Sequence, residues 1–160
     1  MHIATYYLND PAAPKPNSPT RLGANVLFEH EGKLLLEQRW DCGAWGLVGG
    51  RLRSGERAVH GIARELREET GISLPESAFA YLRTCDEPGR IAAYRDGTVW
   101  RMVIVLFAAC VQEPPLLKPS RESTQLRFFS REELTMLEIA PTHRDLVAAW
   151  IDSAKKTEKA

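Results

Sequence analysis

Three glutamates, Glu65, Glu68 and Glu69, crowd together beside Arg64 and Arg67 in the stretch GRLRSGERAVHGIARELREETGI, Gly50 to Ile72. A helix is predicted over roughly residues 56–70, where each residue advances by about 100°. With Glu65 at zero, Glu69 falls near +40° and Glu68 near −60°, so the acids share an arc of about 100°. Ile62, Leu66, Val59, Thr70 and Ala63 form the face expected to meet a core, and Arg57, His60, Arg64 and Arg67 take the outward side. The carboxylates therefore stand at the shoulder between core and solvent. Gly61 and Ala58, one and two turns before Glu65, are small. A glycine inside a helix costs about 1 kcal/mol relative to alanine, which suits a helix that something must approach closely. Two readings follow. The acids form a solvated surface, with Arg64 and Glu68 as a compensating pair. Alternatively they hold a divalent cation such as Mg²⁺, which takes oxygen ligands and relieves their repulsion. Taken alone, the helix leaves both open.

Such a helix needs a scaffold. GANVLFEH and GKLLLEQR read as two strands around the His30-Glu31-Gly32 turn. WGLVGG, Trp45 to Gly50, then leads through a loop into the helix. AFAYLRTC (78–85) has strand character, and IAAYR and TVWRMVIVLFAACV flank Asp96-Gly97 as a further hairpin. The last of these is long and apolar, as a central strand should be. QLRFF (125–129) is a short strand, and Ser130 with Glu133 forms a capping box that opens a short helix. A final helix is expected from Thr142, with Asp145 near its start and Leu146, Val147, Trp150 and Ile151 on one face. DPAAPKPNSP, with four prolines, reads as an extended, loosely attached lead-in. The expected division is a proline-rich segment over 1–20, one domain over 21–152 and a frayed tail over 153–160. Strands interleaved with helices predict an α/β (α+β) fold, a mixed sheet covered on both sides.

The whole chain narrows the partners. At 160 residues, 44% of them hydrophobic, it has the size and composition of one globular domain with a real core. Lys plus Arg and Asp plus Glu both total 21, so no overall field favours nucleic acid or a membrane surface. A phosphate-rich ligand must be held by local features or by metal ions. Cys42, Cys85 and Cys110 are odd in number and widely spaced, which argues against zinc or a disulfide framework; buried small side chains are expected. MHIATYYLND lacks the pattern of a signal peptide, and the apolar run Met102–Val111 is too short to span a bilayer as a helix. A cytoplasmic enzyme or binding protein, with no internal repeat or second domain, is the expectation.

The spacing around the acids is specific. Gly50, five residues, Glu56, seven residues, then Arg64-Glu65-Leu66-Arg67-Glu68-Glu69-Thr70-Gly71-Ile72 resembles the Nudix box in full. LLLEQR, the tryptophan before a double glycine, and LRFFSREEL extend the likeness over about residues 21–151. The family often has proline before the double glycine; Val48 stands there instead, so a less rigid loop is expected. The resemblance implies a Nudix-type α/β/α sandwich. It implies Glu65, Glu68, Glu69 and the Gly50 carbonyl as ligands of Mg²⁺, for which Mn²⁺ can substitute. It makes Glu65 or Glu68 the residue that orients or deprotonates water, and Glu56 with Arg64 a buried pair locking loop to helix. The implied reaction is hydrolysis of a phosphoanhydride in a nucleoside diphosphate linked to another moiety, with ADP-ribose or a nucleotide sugar favoured. A nucleoside triphosphate pyrophosphohydrolase that removes damaged nucleotides is the near alternative. A non-catalytic nucleotide sensor is the distant one, because sensors often lose box carboxylates and commonly carry a second domain. Many relatives dimerise, which allows a homodimer.

Outside the box, Glu122 is a candidate extra ligand or base, or simply a loop acid. Arg39 is a candidate phosphate contact or a salt bridge. Trp45, Tyr94 and Trp100 are candidates to stack on a base, with packing the alternative for the two tryptophans. Pro88 lies near where ADP-ribose-hydrolysing relatives carry a proline. His143 is expected to be an exposed first-turn residue, with general base as its other reading.

Overall fold

A computed structural model describes residues 2–157; Met1 and residues 158–160, the end of the tail expected to fray, lie outside the described residues. In chain order the elements are β1 (Ala4–Leu8), β2 (Arg21–His30), β3 (Lys33–Arg39), β4 (Trp45–Leu47), β5 (Gly49–Arg51) and α1 (Ala58–Thr70). A short 3₁₀ turn (Glu76–Ala78) follows, then β6 (Ala80–Cys85), β7 (Arg90–Tyr94), β8 (Val99–Cys110), β9 (Ser123–Phe129), α2 (Arg131–Thr135) and α3 (Pro141–Thr157). The strands form a sheet of order β1-β7-β8-β2-β3-β4, with β5 on β2, β6 on β8 and β9 on β3. β8 runs parallel to β2, from Arg21 opposite Met102 to Glu29 opposite Cys110, and the other strand pairs are antiparallel. The sheet is mixed, and β8 is central as its apolar length implied.

Alternation along the strands divides the core into two layers. Val26, Phe28 and Leu35 face α1, where they meet Ile62 and Leu66. Leu27, Leu34 and Leu36 face the other way and meet Leu146, Val147 and Trp150 of α3. The result is an α+β sandwich with helices on both faces. At the β2–β3 turn, Glu31 and Gly32 take φ of 49° and 70°, the left-handed pair that a tight two-residue hairpin requires. β2 and β3 pair only beside this turn, Glu29 with Leu34 and His30 with Lys33. They then diverge. β3 takes β4 and β9 as partners, β2 takes β5 and β8, and the opening between them becomes the site.

Several local expectations change. Ala4–Leu8 forms a strand on β7, with Tyr6 opposite Ala92, where no strand was expected. The proline-rich lead-in is anchored rather than loose: the Asn17 N–H donates to the Val99 carbonyl at 3.1 Å, and the Asn17 side chain accepts from the Val99 N–H at 2.8 Å. Trp45–Leu47 and Gly49–Arg51 are short strands, since each finds an edge to pair with. α3 begins at Pro141, a position whose missing N–H costs nothing in a first turn. Asp145, in its early turns, accepts from Arg90 at 2.8 and 3.0 Å. The capping box of Ser130 and Glu133 is formed. Of the three free cysteines only Cys85 is buried; Cys42 is partly buried and Cys110 exposed.

Candidate active site

The loop between β5 and α1 is fastened by one arginine. Arg64 donates from Nε to Glu56 Oε1 at 2.7 Å and from Nη2 to Glu56 Oε2 at 2.9 Å. Nη2 also reaches the Arg51 carbonyl at 3.2 Å, while Nη1 reaches Glu65 at 2.7 Å and Glu68 at 3.0 Å. Arg64 is therefore buried, not outward as its helical angle suggested, because the loop folds over it. These bonds hold the Glu56 carboxyl down at about 2. Gly61 serves the same closure. A Cβ there would stand 2.2 Å from Leu52 Cδ2 and 3.2 Å from Glu56 Oε2, so the close approach it permits is that of the loop itself. The ligand-side clearance belongs to Gly50, where a Cβ would meet the Glu65 carboxylate at 2.8 Å.

The three box acids differ sharply in setting. Glu68 is exposed and Glu65 is partly buried, with burial raising the Glu65 carboxyl against the pull of Arg64. Glu69 is buried and accepts the Gly49 N–H at 3.0 Å. Burial, and then the charge of Glu37, pushes the Glu69 carboxyl well up. Glu37 was not anticipated as a site residue. It sits at 2% exposure in β3, accepts from Ser123 Oγ at 2.6 Å, and is raised by burial to about 7. Among the described residues, no three His, Cys, Asp or Glu side chains stand as a ready metal-holding group. Arg64 draws Glu65 and Glu68 toward itself instead. The donor chemistry nevertheless fits a hard divalent ion. All the acids and the Gly50 carbonyl offer oxygen, and the buried Glu69 carboxylate, pushed up by burial and by the charge of Glu37, makes no ion pair among the described residues.

Two joined hollows open where β2 and β3 part. One, of about 370 Å³, is lined by Glu65, Glu68, Glu69, Gly50, Arg51 and the 120–122 loop. The other, of about 250 Å³, shares Gly50, Arg51, Glu69 and Glu122 and continues to Tyr6, Arg21, Arg39 and Tyr94. Glu122 thus lies on the rim of both. Arg39 lines the cavity and forms salt bridges with Asp41 and Glu37. Its Nε and Nη2 donate to Asp41 at 3.0 and 2.8 Å, and Nη2 donates to Tyr6 Oη at 2.9 Å. Tyr6 Oη in turn donates to Asp41 Oδ2 at 2.7 Å. Tyr94 lines the cavity and accepts from Arg21 at 3.2 Å.

Other candidates fall elsewhere. Trp45 lies outside the cavity lining and packs edge-on against Phe129 at 4.8 Å, in the core under α3. The Trp100 ring carries the guanidinium of Arg21 at 4.4 Å and that of Arg51 at 5.5 Å, so it supports cations beside the cavity. Pro88 sits in an exposed turn between β6 and β7. His143 is buried rather than exposed, and its Nδ1 accepts the Leu47 N–H at 3.0 Å. Burial lowers its imidazole to about 3, which makes it a neutral support. Val48 is fully buried and packs in the core under α1. Glu37 had a signal that was passed over, an acid inside the apolar strand LLLEQR. Tyr6, Asp41 and Arg21 had none, since each arrives through distant pairing.

Comparison with known proteins agrees with this fold. The NUDIX domain model matches residues 19–150. A MutT-like protein from Streptomyces ambofaciens is 30% identical over 112 residues, which are 70% of this chain and 64% of that protein. Among solved structures, the NUDIX domain of NrtR from Shewanella oneidensis, in complex with ADP-ribose, superposes with a TM-score of 0.64. It is 21% identical, and 92% of each chain is covered. A bifunctional NMN adenylyltransferase/ADP-ribose pyrophosphatase from Francisella tularensis, complexed with AMP and a manganese ion, gives 0.68 at 20% identity. That match covers 87% of this chain and 43% of the Francisella protein. With an intact box on this fold and a family match over most of its length, the chain belongs to the Nudix family.

Proposed function

We propose that the protein is a Mg²⁺-dependent pyrophosphohydrolase that cleaves a phosphoanhydride in a nucleoside diphosphate linked to a second moiety. The observation that carries this reading is the complete set of box acids lining a hollow that continues into a second, arginine-bearing one. Glu65, Glu68, Glu69, Glu122 and the Gly50 carbonyl would hold Mg²⁺, or Mn²⁺ in its place. When bound, the ion neutralises diphosphate oxygens and acidifies a water. Glu65 or Glu68 orients the attacking water and accepts its proton at a carboxylate oxygen. Arg64 and Glu56 fix the helix against the loop, so that these carboxylates keep their bearing on Gly50. Arg39, held by Asp41 and Tyr6, would meet a phosphate in the cavity. ADP-ribose or a nucleotide sugar is the favoured substrate type, a choice supported by the ADP-ribose bound to the Shewanella domain and by the name of the Francisella protein.

The test is product analysis over a panel of nucleoside triphosphates, ADP-ribose, sugar nucleotides and dinucleoside polyphosphates, with Mg²⁺ and with EDTA. Metal-dependent release of a nucleoside monophosphate or diphosphate from one class is expected. Tight binding of a panel member without cleavage of any would replace the enzyme reading by a sensor.

A further inference from the structure

Most charged groups around the cavity are already answered. Arg39 meets Asp41, Arg64 meets Glu56, and Arg90 on the far side meets Asp145. Arg21 and Arg51 are different. Both line the cavity, and among the described residues neither has a carboxylate in ion-pairing reach. Among the described residues, Arg21 donates one hydrogen bond, from Nη1 to Tyr94 Oη, and its buried Nε meets no acceptor. Both guanidiniums rest on Trp100, at 4.4 and 5.5 Å from the ring centre.

Strand register explains why they converge. Arg51 lies opposite Gly23, and Arg21 lies opposite Met102, which shares a sheet face with Trp100. Between the two arginines Gly23 offers no side chain, so the floor is bare; a Cβ there would stand 3.0 Å from the Gly50 carbonyl oxygen. Along β2, Arg21 is about 7 Å beyond that point. The two cations therefore sit one step past the carbonyl assigned to the metal, further along the same cavity.

An aromatic ring attracts a cation but supplies no hydrogen-bond acceptor for it. Two guanidiniums on one ring also repel each other, and the unpartnered Nε is costly to bury. Each cost disappears when an oxyanion enters, because phosphate and carboxylate present several acceptors that suit the guanidinium fork. We infer that Arg21 and Arg51, packed on Trp100, form a subsite for a phosphate or carboxylate at the end of the substrate remote from the cleaved anhydride. The inference rests on the pyrophosphohydrolase reading and narrows it. Within the phosphoanhydride class it shifts the preference away from ADP-ribose, whose terminal ribose is neutral, toward a nucleotide whose linked moiety carries a negative charge of its own, as a further phosphate or an acidic sugar does.

The experiment compares kcat/KM for two substrates with the same base, a nucleoside triphosphate and a neutral nucleoside diphosphate sugar, together with an acidic sugar nucleotide. Wild type, Arg21→Gln, Arg21→Lys and Arg51→Gln are measured with Mg²⁺, after thermal melting confirms that each is folded. The preference for the charged substrates over the neutral one should fall about ten-fold or more in the glutamine variants, mainly through KM, and recover in part in Arg21→Lys. Loss confined to the triphosphate identifies the group as phosphate; loss confined to the acidic sugar identifies it as carboxylate. An unchanged preference in both glutamine variants overturns the subsite. So does a loss that follows the base when the set is repeated with a second base, which would mean that the arginines read a base edge. Calorimetric titration with inorganic phosphate in EDTA separates this inference from the one beneath it. Binding that weakens about ten-fold in Arg21→Gln supports the subsite even if no panel member is hydrolysed, in which case only the pyrophosphohydrolase reading fails. Phosphate affinity that is unchanged by Arg21→Gln and Arg51→Gln rejects the subsite.

Discussion

Replacing Glu56 by glutamine tests the loop-to-helix clasp directly. Its carboxylate accepts from Arg64 at 2.7 and 2.9 Å and from the Arg53 N–H at 2.9 Å. The paired side chains are only 7% and 6% exposed, so the charge left on Arg64 could not simply turn to water. Removing one partner of a buried pair costs ~3–5 kcal/mol. Glutamine keeps the shape and one acceptor oxygen, and Arg64 retains Glu65 and Glu68, so a loss of about 3 kcal/mol is expected at pH 7. The pH dependence provides a second signature. Arg64 holds the Glu56 carboxyl at about 2 in the folded chain, against an ordinary 4.5. A folded value below the unfolded one gives stability that is complete above the unfolded value and is lost as pH falls toward the folded one. Urea unfolding of wild type and Glu56→Gln from pH 7 down to 3.5 should therefore show a gap that narrows below about pH 4.5. A loss under about 1 kcal/mol at pH 7 would refute the clasp, as would a gap indifferent to acid.

Three further expectations follow from the same geometry. Glu68→Gln should lower turnover by at least about a hundred-fold while changing stability by under about 0.5 kcal/mol, because Glu68 is exposed; unchanged steady-state rates would remove it from the metal site. Gly61→Leu should destabilise by about 1–3 kcal/mol through overpacking against Leu52 and Glu56, despite the better helix propensity; a higher melting temperature would contradict the packing. Burial lowers the His143 imidazole from 6.5 to about 3, so the unfolded chain binds the proton more readily. Its contribution is whole above about pH 6.5 and is lost on acidification, by up to ~1.4 kcal/mol per pH unit. Denaturation midpoints at pH 7 and pH 5 should thus differ more in wild type than in His143→Gln, and equal differences would show that His143 is not held neutral.

What the sequence determined alone is what short-range geometry controls. Helical spacing placed Glu65, Glu68 and Glu69 on one shoulder, and the resemblance to the Nudix box implied Glu56 and Arg64 as partners. Period-two alternation and the Asp96-Gly97 and Glu31-Gly32 turns located most of the strands, since each such signal is complete within a few residues. The rest depended on which segments meet. Arg64 reads as outward by helical angle and is buried because a loop closes over it. His143 reads as an exposed first-turn residue and is buried because β4 crosses beside it. Gly61 suggested room for a ligand and instead makes room for Leu52. Trp45 turns toward the α3 core while Tyr6, 35 residues before Asp41, reaches the cavity through a strand that pairs with β7. A side chain's surroundings are set by register and crossing across the sheet, and one residue of register exchanges its two faces. Charges that only tertiary contact leaves unpaired, such as Arg21 and Arg51, therefore become visible only once the chain has folded.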